Sequence, residues 1–91
     1  MLQSDENERY GALRSKLPDL IRKRELEENR RIHQYEIAEA TGLRPNTISR
    51  WMSPKPLKRL DEATILPLCN FFRCQVGDLI FIDYSYKQDG E

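Results

Sequence analysis

The sequence is poor in the residues that build metal sites and disulfide frameworks. Its 91 residues include two cysteines, one histidine and four glycines. His33 has no second histidine at ligand spacing, and Cys69 and Cys74 form no ligand set with it, so we expect no metal and no small-molecule cofactor. In a chain that we expect not to be secreted, two cysteines favour reduced packing residues over a disulfide.

The chain also lacks long apolar runs and catalytic motifs. No stretch approaches the roughly 18 apolar residues of a membrane span, and the acidic start MLQSDENERY is unlike a signal peptide. We therefore expect a cytoplasmic protein that does not enter a membrane. There is no nucleophile elbow and no glycine-rich phosphate loop, and Glu27–Glu28 falls on a predicted exposed helix face. We expect no enzyme.

What is present is charge, and it is unevenly distributed. The net charge is zero, but residues 9–60 carry 13 bases and six acids, whereas residues 61–91 carry two bases and six acids. A clustered basic face can bind polyphosphate even when the overall charge is balanced. A solvated surface has the same composition, so charge alone leaves both interpretations open.

The apolar pattern predicts one domain and five helices. We expect disorder over residues 1–9, a folded domain over 10–80 and a tail over 81–91. Apolar residues at helical spacing predict a first helix over about 12–30, with Pro18 in its first turn. A second helix is predicted over about 34–41, and a third begins at Pro45. A fourth follows the cap Asp61 and bends at Pro67, and a short fifth opens at Gly77–Asp78 and contains Leu79 and Ile80.

The tail alternates apolar and polar residues, which predicts a strand. Ile82, Tyr84 and Tyr86 alternate with Asp83, Ser85 and Lys87. An isolated strand is not stable in water. The tail must therefore pack on its own domain, for example on the first helix, pair with a second copy through residues 81–87, or stay disordered.

The stretch EIAEATGLRPNTISRW, residues 36–51, breaks a helix and restarts it at once. Gly42 suits the left-handed residue that ends a helix, and Pro45 suits the first turn of the next. Ala38 is small where the two helices would cross, Leu43 would anchor the turn, and Ile48 would hold the second helix to the core. This predicts a helix-turn-helix, whose second helix can enter a major groove; a plain helical hairpin is the alternative.

The segment HQYEIAEATGLRPNTISRW resembles the Cro and lambda-repressor type of helix-turn-helix domain, the XRE family. It matches the pattern Q-x-x-[IL]-A-x-x-x-G-[LV]-x-x-x-T-[IV]-S at Gln34, Ile37, Ala38, Gly42, Leu43, Thr47, Ile48 and Ser49. DEATILPLCNFFRCQVGDLI resembles the closing helices of that family. The resemblance covers about residues 17–80. It implies an all-α, compact five-helix lambda-repressor-like domain with a short extended C-terminal tail, binding duplex DNA as a repressor-like transcriptional regulator.

The outer face of the third helix is the predicted reading surface. Asn46 can pair bidentately with adenine, Arg50 can fork onto guanine or reach a phosphate, and Ser49 lies between them. For the DNA backbone the resemblance implies Gln34. The other predicted phosphate contacts are Arg44, Thr47, Lys55, Lys58 and Arg59. Trp51 shares a face with Ile48 and is predicted to be core.

A second function remains open on the same fold. The domain could be a protein-interaction module, such as an antitoxin-like or phage-encoded regulator that binds another protein. Bases of residues 30–59 converging on the face that carries Asn46 favour DNA. Acids of residues 61–91 folding over that face favour a protein partner.

Overall fold

The structure, a computed structural model, describes residues 9–88. Apart from Arg9, the segment predicted to be disordered lies outside the described residues. The elements follow in the order β1 (Arg9–Ser15), α1 (Leu17–Glu28), α2 (Gln34–Thr41), α3 (Pro45–Met52), α4 (Glu62–Phe72), α5 (Val76–Leu79) and β2 (Ile80–Gln88). The five predicted helices are all present.

The two ends of the described chain pair with each other as an antiparallel two-stranded sheet. Leu13 lies opposite Ile82, and Ser15 lies opposite Ile80. The prediction of helix over residues 12–15 is therefore wrong, and all-α is only an approximate description. Leu13 fits the apolar spacing of α1, but in the sheet it pairs with Ile82, 69 positions away. Local periodicity in the sequence does not indicate such a distant partner.

The tail's strand pattern is confirmed, and its partner is β1 of the same chain. The strand starts one residue earlier than predicted, because α5 ends at Leu79 and Ile80 is already extended, with φ −131° and ψ 143°. Placing Ile80 in the fifth helix was wrong. Gly11 of β1 has φ +97°, and a Cβ there would lie 3.1 Å from Ile82 Cγ2. Glycine is needed at this irregularity in the ladder.

Each helix contributes one fully buried side chain to the core. These five residues are Leu17, Ile37, Ile48, Leu68 and Leu79. Burying a side chain of this size stabilises a fold by about 1.5–3 kcal/mol, so each helix is held to the same centre. The core thereby fixes α3 by one face and leaves its opposite face in solvent.

The fourth helix begins as predicted. The Asp61 side chain accepts a hydrogen bond from the Thr64 backbone N–H at 3.2 Å, which is a common N-cap arrangement. Pro67 lies inside the helix, and Cys69 is buried on its inner face. Cys69 and Cys74 are free thiols, and burial raises the pKa of Cys74 to about 11.

Candidate nucleic-acid interface

The turn between α2 and α3 depends on the backbone freedom of Gly42. This residue has φ +77°, and its N–H donates to the Ala38 carbonyl at 2.9 Å. No atom lies within 4 Å of the position that a Cβ would occupy. Glycine is therefore required here for its left-handed conformation and not for space.

Thr41 ties the turn together with one hydroxyl. Its Oγ1 donates to the Ile37 carbonyl at 2.6 Å and accepts from the Leu43 N–H at 3.2 Å. Leu43 is half-buried and packs against the core. The chain then enters α3 through the extended residue Arg44 and Pro45. The turn is thus held by hydrogen bonds before and after the glycine.

The two faces of α3 have opposite characters. Ile48 and Trp51 are buried, which confirms that Trp51 belongs to the core. Asn46, Ser49 and Arg50 are exposed together on the other side, with Arg44 exposed at the helix start and Thr47 half-buried. The residues predicted to read bases therefore share one accessible surface.

The start of α2 lies beside this surface. Gln34 is the exposed first residue of α2, and Ser49 Oγ donates to Gln34 Oε1 at the long distance of 3.5 Å. Next to Gln34, the rings of His33 and Tyr35 stack with centroids 5.3 Å apart. His33 makes no side-chain capping bond, but its carbonyl accepts from the Glu36 N–H at 3.0 Å. Among the described residues, the amides of Gln34 and Tyr35 are therefore those that remain open to an acceptor at this helix start.

Basic residues at the end of α3 and in the segment after it line a concavity of about 660 Å³. Its rim carries four cations, and Trp51, Pro56 and Leu57 line it as well. The cations are Arg50, Lys55, Lys58 and Arg59. The predicted reading residue Arg50 and three predicted phosphate contacts are thus brought to one place. Asp61 is the one carboxylate in this lining.

Salt bridges among residues 9–88 leave these cations out, since their basic partners are Arg14, Arg24 and Arg30. Arg30 binds Glu36 at 2.7 Å and Glu28 at 2.9 Å. The Arg30 hydrogen bond lowers the pKa of Glu36 and keeps it charged. Arg30 is therefore occupied at the junction of α1 and α2 and does not join the basic rim.

Two contacts between β1 and the segment after α3 that carries Lys55, Lys58 and Arg59 were not predicted from the sequence. Arg14 of β1 donates from Nη1 to the Pro54 carbonyl, and the Leu57 N–H donates to the Leu13 carbonyl at 2.8 Å. Both partners lie in β1, more than 39 positions away along the chain. No local pattern could have indicated this attachment.

Within residues 9–88, no three His, Cys, Asp or Glu side chains form a group suited to a metal ion. Nor does any helix in that range have the length and apolarity to cross a bilayer. What the described residues do bring together is an exposed polar helix face, a tight turn behind it and a rim of cations beside it. These features define a helix-turn-helix protein.

A family model described as a Cro/C1-type HTH DNA-binding domain matches residues 24–83. The match covers most of the chain, and the protein belongs to the Cro/C1-type helix-turn-helix DNA-binding family. Comparison of this chain with the curated proteins and with the solved structures found no match.

Proposed function

We propose that the protein binds duplex DNA sequence-specifically and regulates transcription as a repressor-like protein. The observation that carries the proposal is the exposed face of α3, bordered by cations that form no salt bridge with a carboxylate among residues 9–88. Binding itself is the mechanism, because a protein seated on an operator excludes other proteins from it. Such a protein works where DNA is accessible, and we propose a cytoplasmic location.

Base reading is assigned to the exposed face of α3. Asn46 lies in its first turn, where a side chain points toward the groove floor, and an amide can pair bidentately with adenine. Arg50 follows one turn later and can fork onto guanine. Ser49 lies between them, and its short hydroxyl can bond to a base edge.

Backbone binding is assigned to the residues that flank this face. Gln34 and Arg44 stand at helix starts, where the helix dipole favours phosphate, and Thr47 is half-buried in the first turn of α3. Lys55, Lys58 and Arg59 extend the positive surface beyond Arg50. Contacts of this kind give affinity and register without sequence information.

The acids of the C-terminal third support DNA over a protein partner. Asp61 caps α4, Asp78 accepts from the Gln75 N–H at 3.0 Å, and Asp83 binds Arg14 at 2.8 Å. Each of these carboxylates has a structural partner. Asp61 lies near the α3 face, in the lining of the concavity beside Arg50, but Asp78 and Asp83 do not add to it, and the acidic cover that the protein-interaction alternative requires is not formed by these three.

We also propose that the protein acts as a homodimer through residues 81–87. The Leu13 carbonyl points away from β2, toward Leu57. Its opposite residue Ile82 therefore also turns its N–H and C=O outward, because antiparallel pairs alternate in this way. That edge of β2 has no partner strand among residues 9–88, and Ile82 and Tyr84 are 48% and 72% exposed beside it. A second copy of β2 would satisfy the edge with two-fold symmetry, as palindromic operators require.

The assignment of base reading to Asn46 is tested by Asn46→Ala. We expect it to cost about 1–3 kcal/mol on the preferred site and to relax discrimination at one base pair. The measurement is competition between the preferred duplex and its single-base variants. Asn70→Ala, at an exposed asparagine of α4, is the matched control. Unchanged discrimination by Asn46→Ala contradicts the assignment.

The backbone contacts are tested by Lys55→Ala and Arg59→Ala. Each should weaken binding to all sequences alike and lower the salt slope by about one unit. Lys23→Ala, at an exposed lysine of α1, should leave the slope intact. A loss confined to the preferred sequence would show that these side chains read bases instead.

The dimer is tested by Tyr84→Lys, since charge on an edge strand opposes pairing. We expect sedimentation to show a dimer for the unmodified chain and a monomer for this variant, with weaker binding to a palindromic site. Leu66→Lys, at a half-exposed position of α4, controls for added charge. A monomeric unmodified chain at tens of micromolar rules the dimer out.

A further inference from the structure

The loop that follows α3 is attached to the terminal strands at two points. We call residues 53–59 the basic loop. The Pro54 carbonyl accepts from Arg14 Nη1, and the Leu57 N–H donates to the Leu13 carbonyl at 2.8 Å. These two attachments lie on either side of Lys55. The middle of the loop is therefore fixed to β1.

Arg14 is itself held by the other strand. Its Nε donates to Asp83 Oδ2 of β2 at 2.8 Å, and the two side chains are only 26% and 23% exposed. Asp83 is oriented in turn by Ser85, whose hydroxyl and N–H both donate to Oδ1. The guanidinium thus joins a carboxylate of β2, which orients it, to a carbonyl of the basic loop.

Apart from the Leu57 side chain, which packs against the core, and the Ser53 N–H, which donates to the Arg50 carbonyl at 3.3 Å, the basic loop has few other means of holding its shape. Pro54 and Pro56 have no N–H to donate. The bond inside the loop that fixes Lys55 is from its own N–H to Ser53 Oγ at 3.1 Å. Yet three of the four cations on the rim, Lys55, Lys58 and Arg59, come from this loop. Their position relative to α3 depends on what anchors the loop from outside.

We propose that Arg14, oriented by Asp83, is a positioning residue for the DNA-backbone contacts. It holds the basic loop so that Lys55 and its neighbours stand beside Arg50 on one rim. The terminal sheet then supports the DNA-backbone contacts of the basic loop and itself contacts no base. This inference rests on the proposed function, and it predicts that changes in β1 and β2 act on DNA through the loop.

The test is a double-mutant cycle between Arg14→Ala and Lys55→Ala in the full chain, read as DNA affinity against salt. We expect Arg14→Ala to weaken binding to all duplexes and to lower the salt slope by about 0.9, the value of one phosphate contact. In the Lys55→Ala background the same change should cost less affinity than in the unmodified chain, because part of its effect is already lost and coupled residues are not additive. Additive losses overturn the inference, since they indicate that Arg14 binds phosphate directly.

Two further variants separate positioning from folding. Asp83→Asn leaves Arg14 in place but removes its orienting charge, and it should reproduce part of the slope change. Arg14→Lys can bond Asp83 or the Pro54 carbonyl and, relative to Arg14→Ala, should restore part of the affinity. An intact slope in Asp83→Asn indicates that Arg14 does not need this partner and contradicts the inference.

The matched control is Arg24→Ala. Arg24 also joins a carbonyl, that of Phe71 at 2.9 Å, and a carboxylate, Glu28 at 3.7 Å, but away from the loop. It should change thermal stability and leave the salt slope unchanged. If Lys55→Ala weakens DNA binding while Arg14→Ala does not, the positioning role fails and the proposed function stands. Absence of DNA binding by the unmodified chain is instead a failure of the proposed function.

Discussion

Replacing Gly42 by alanine tests the turn on which the recognition helix depends. A left-handed conformation costs a residue with a Cβ about 1–2 kcal/mol. Alanine also restricts the unfolded chain, which offsets about 0.4–1 kcal/mol. No atom lies within 4 Å of the new methyl group, so no steric cost is added. We expect Gly42→Ala to lower the free energy of unfolding by about 1 kcal/mol, or Tm by about 4–8 °C for a domain of this size.

The measurement is urea unfolding followed by circular dichroism, with three variants side by side. Gly42→Asn should lose less than Gly42→Ala, because asparagine tolerates the left-handed region. Gly77→Ala is the matched control: Gly77 lies inside α5 without a positive φ, and its Cβ position is open. That change should be neutral or stabilise by up to about 1 kcal/mol. Equal effects of alanine at both glycines contradict the left-handed turn.

Three further predictions concern the core and two titrating groups. Ile48→Ala should lower the free energy of unfolding by about 2–5 kcal/mol, against less than about 0.5 kcal/mol for its exposed neighbour Ser49→Ala; comparable urea midpoints would show that α3 is turned the other way. Ser85 hydrogen bonds, and then Arg14, hold the pKa of Asp83 below its ordinary value of 3.8, so its stabilising charge is present above that pH and is lost on acidification. Unfolding of Asp83→Asn should accordingly depend less on pH below about 4 than that of the unmodified chain, and parallel acid profiles would contradict this. Because burial raises the pKa of Cys74 to about 11, its stability contribution should be lost as pH rises from about 9 to 11, and iodoacetamide should modify it slowly at pH 8; rapid alkylation of the folded protein would contradict the burial.

The helix-turn-helix could be predicted from the sequence because its determinants are local. Gly42, Leu43 and Pro45 specify the end of one helix and the start of the next within a few residues. The apolar spacing of Ile48 and Trp51 then decides which face of α3 is buried. The same spacing predicts that Asn46 and Arg50 lie together on the exposed face.

The terminal sheet could not be predicted in this way. Leu13 fits the apolar spacing of α1, yet it lies in β1. Only its pairing with Ile82 decides between helix and strand at this position. The same long-range pairing explains the tail, whose strand pattern was visible in the sequence while its partner was not. Arg14 was missed for this reason, because its role comes from Asp83 and Pro54 and not from its neighbours in sequence.

The central claim is that the exposed face of α3 reads a particular DNA sequence. Selection of binding sites from random duplex DNA by the full chain tests it most directly, with Asn46→Ala run in parallel. We expect enrichment of one shared sequence, bound about 10³-fold or more above random duplex, with one position relaxed in the variant. Enrichment of no shared sequence, with weak and purely salt-dependent binding to every duplex, would contradict it.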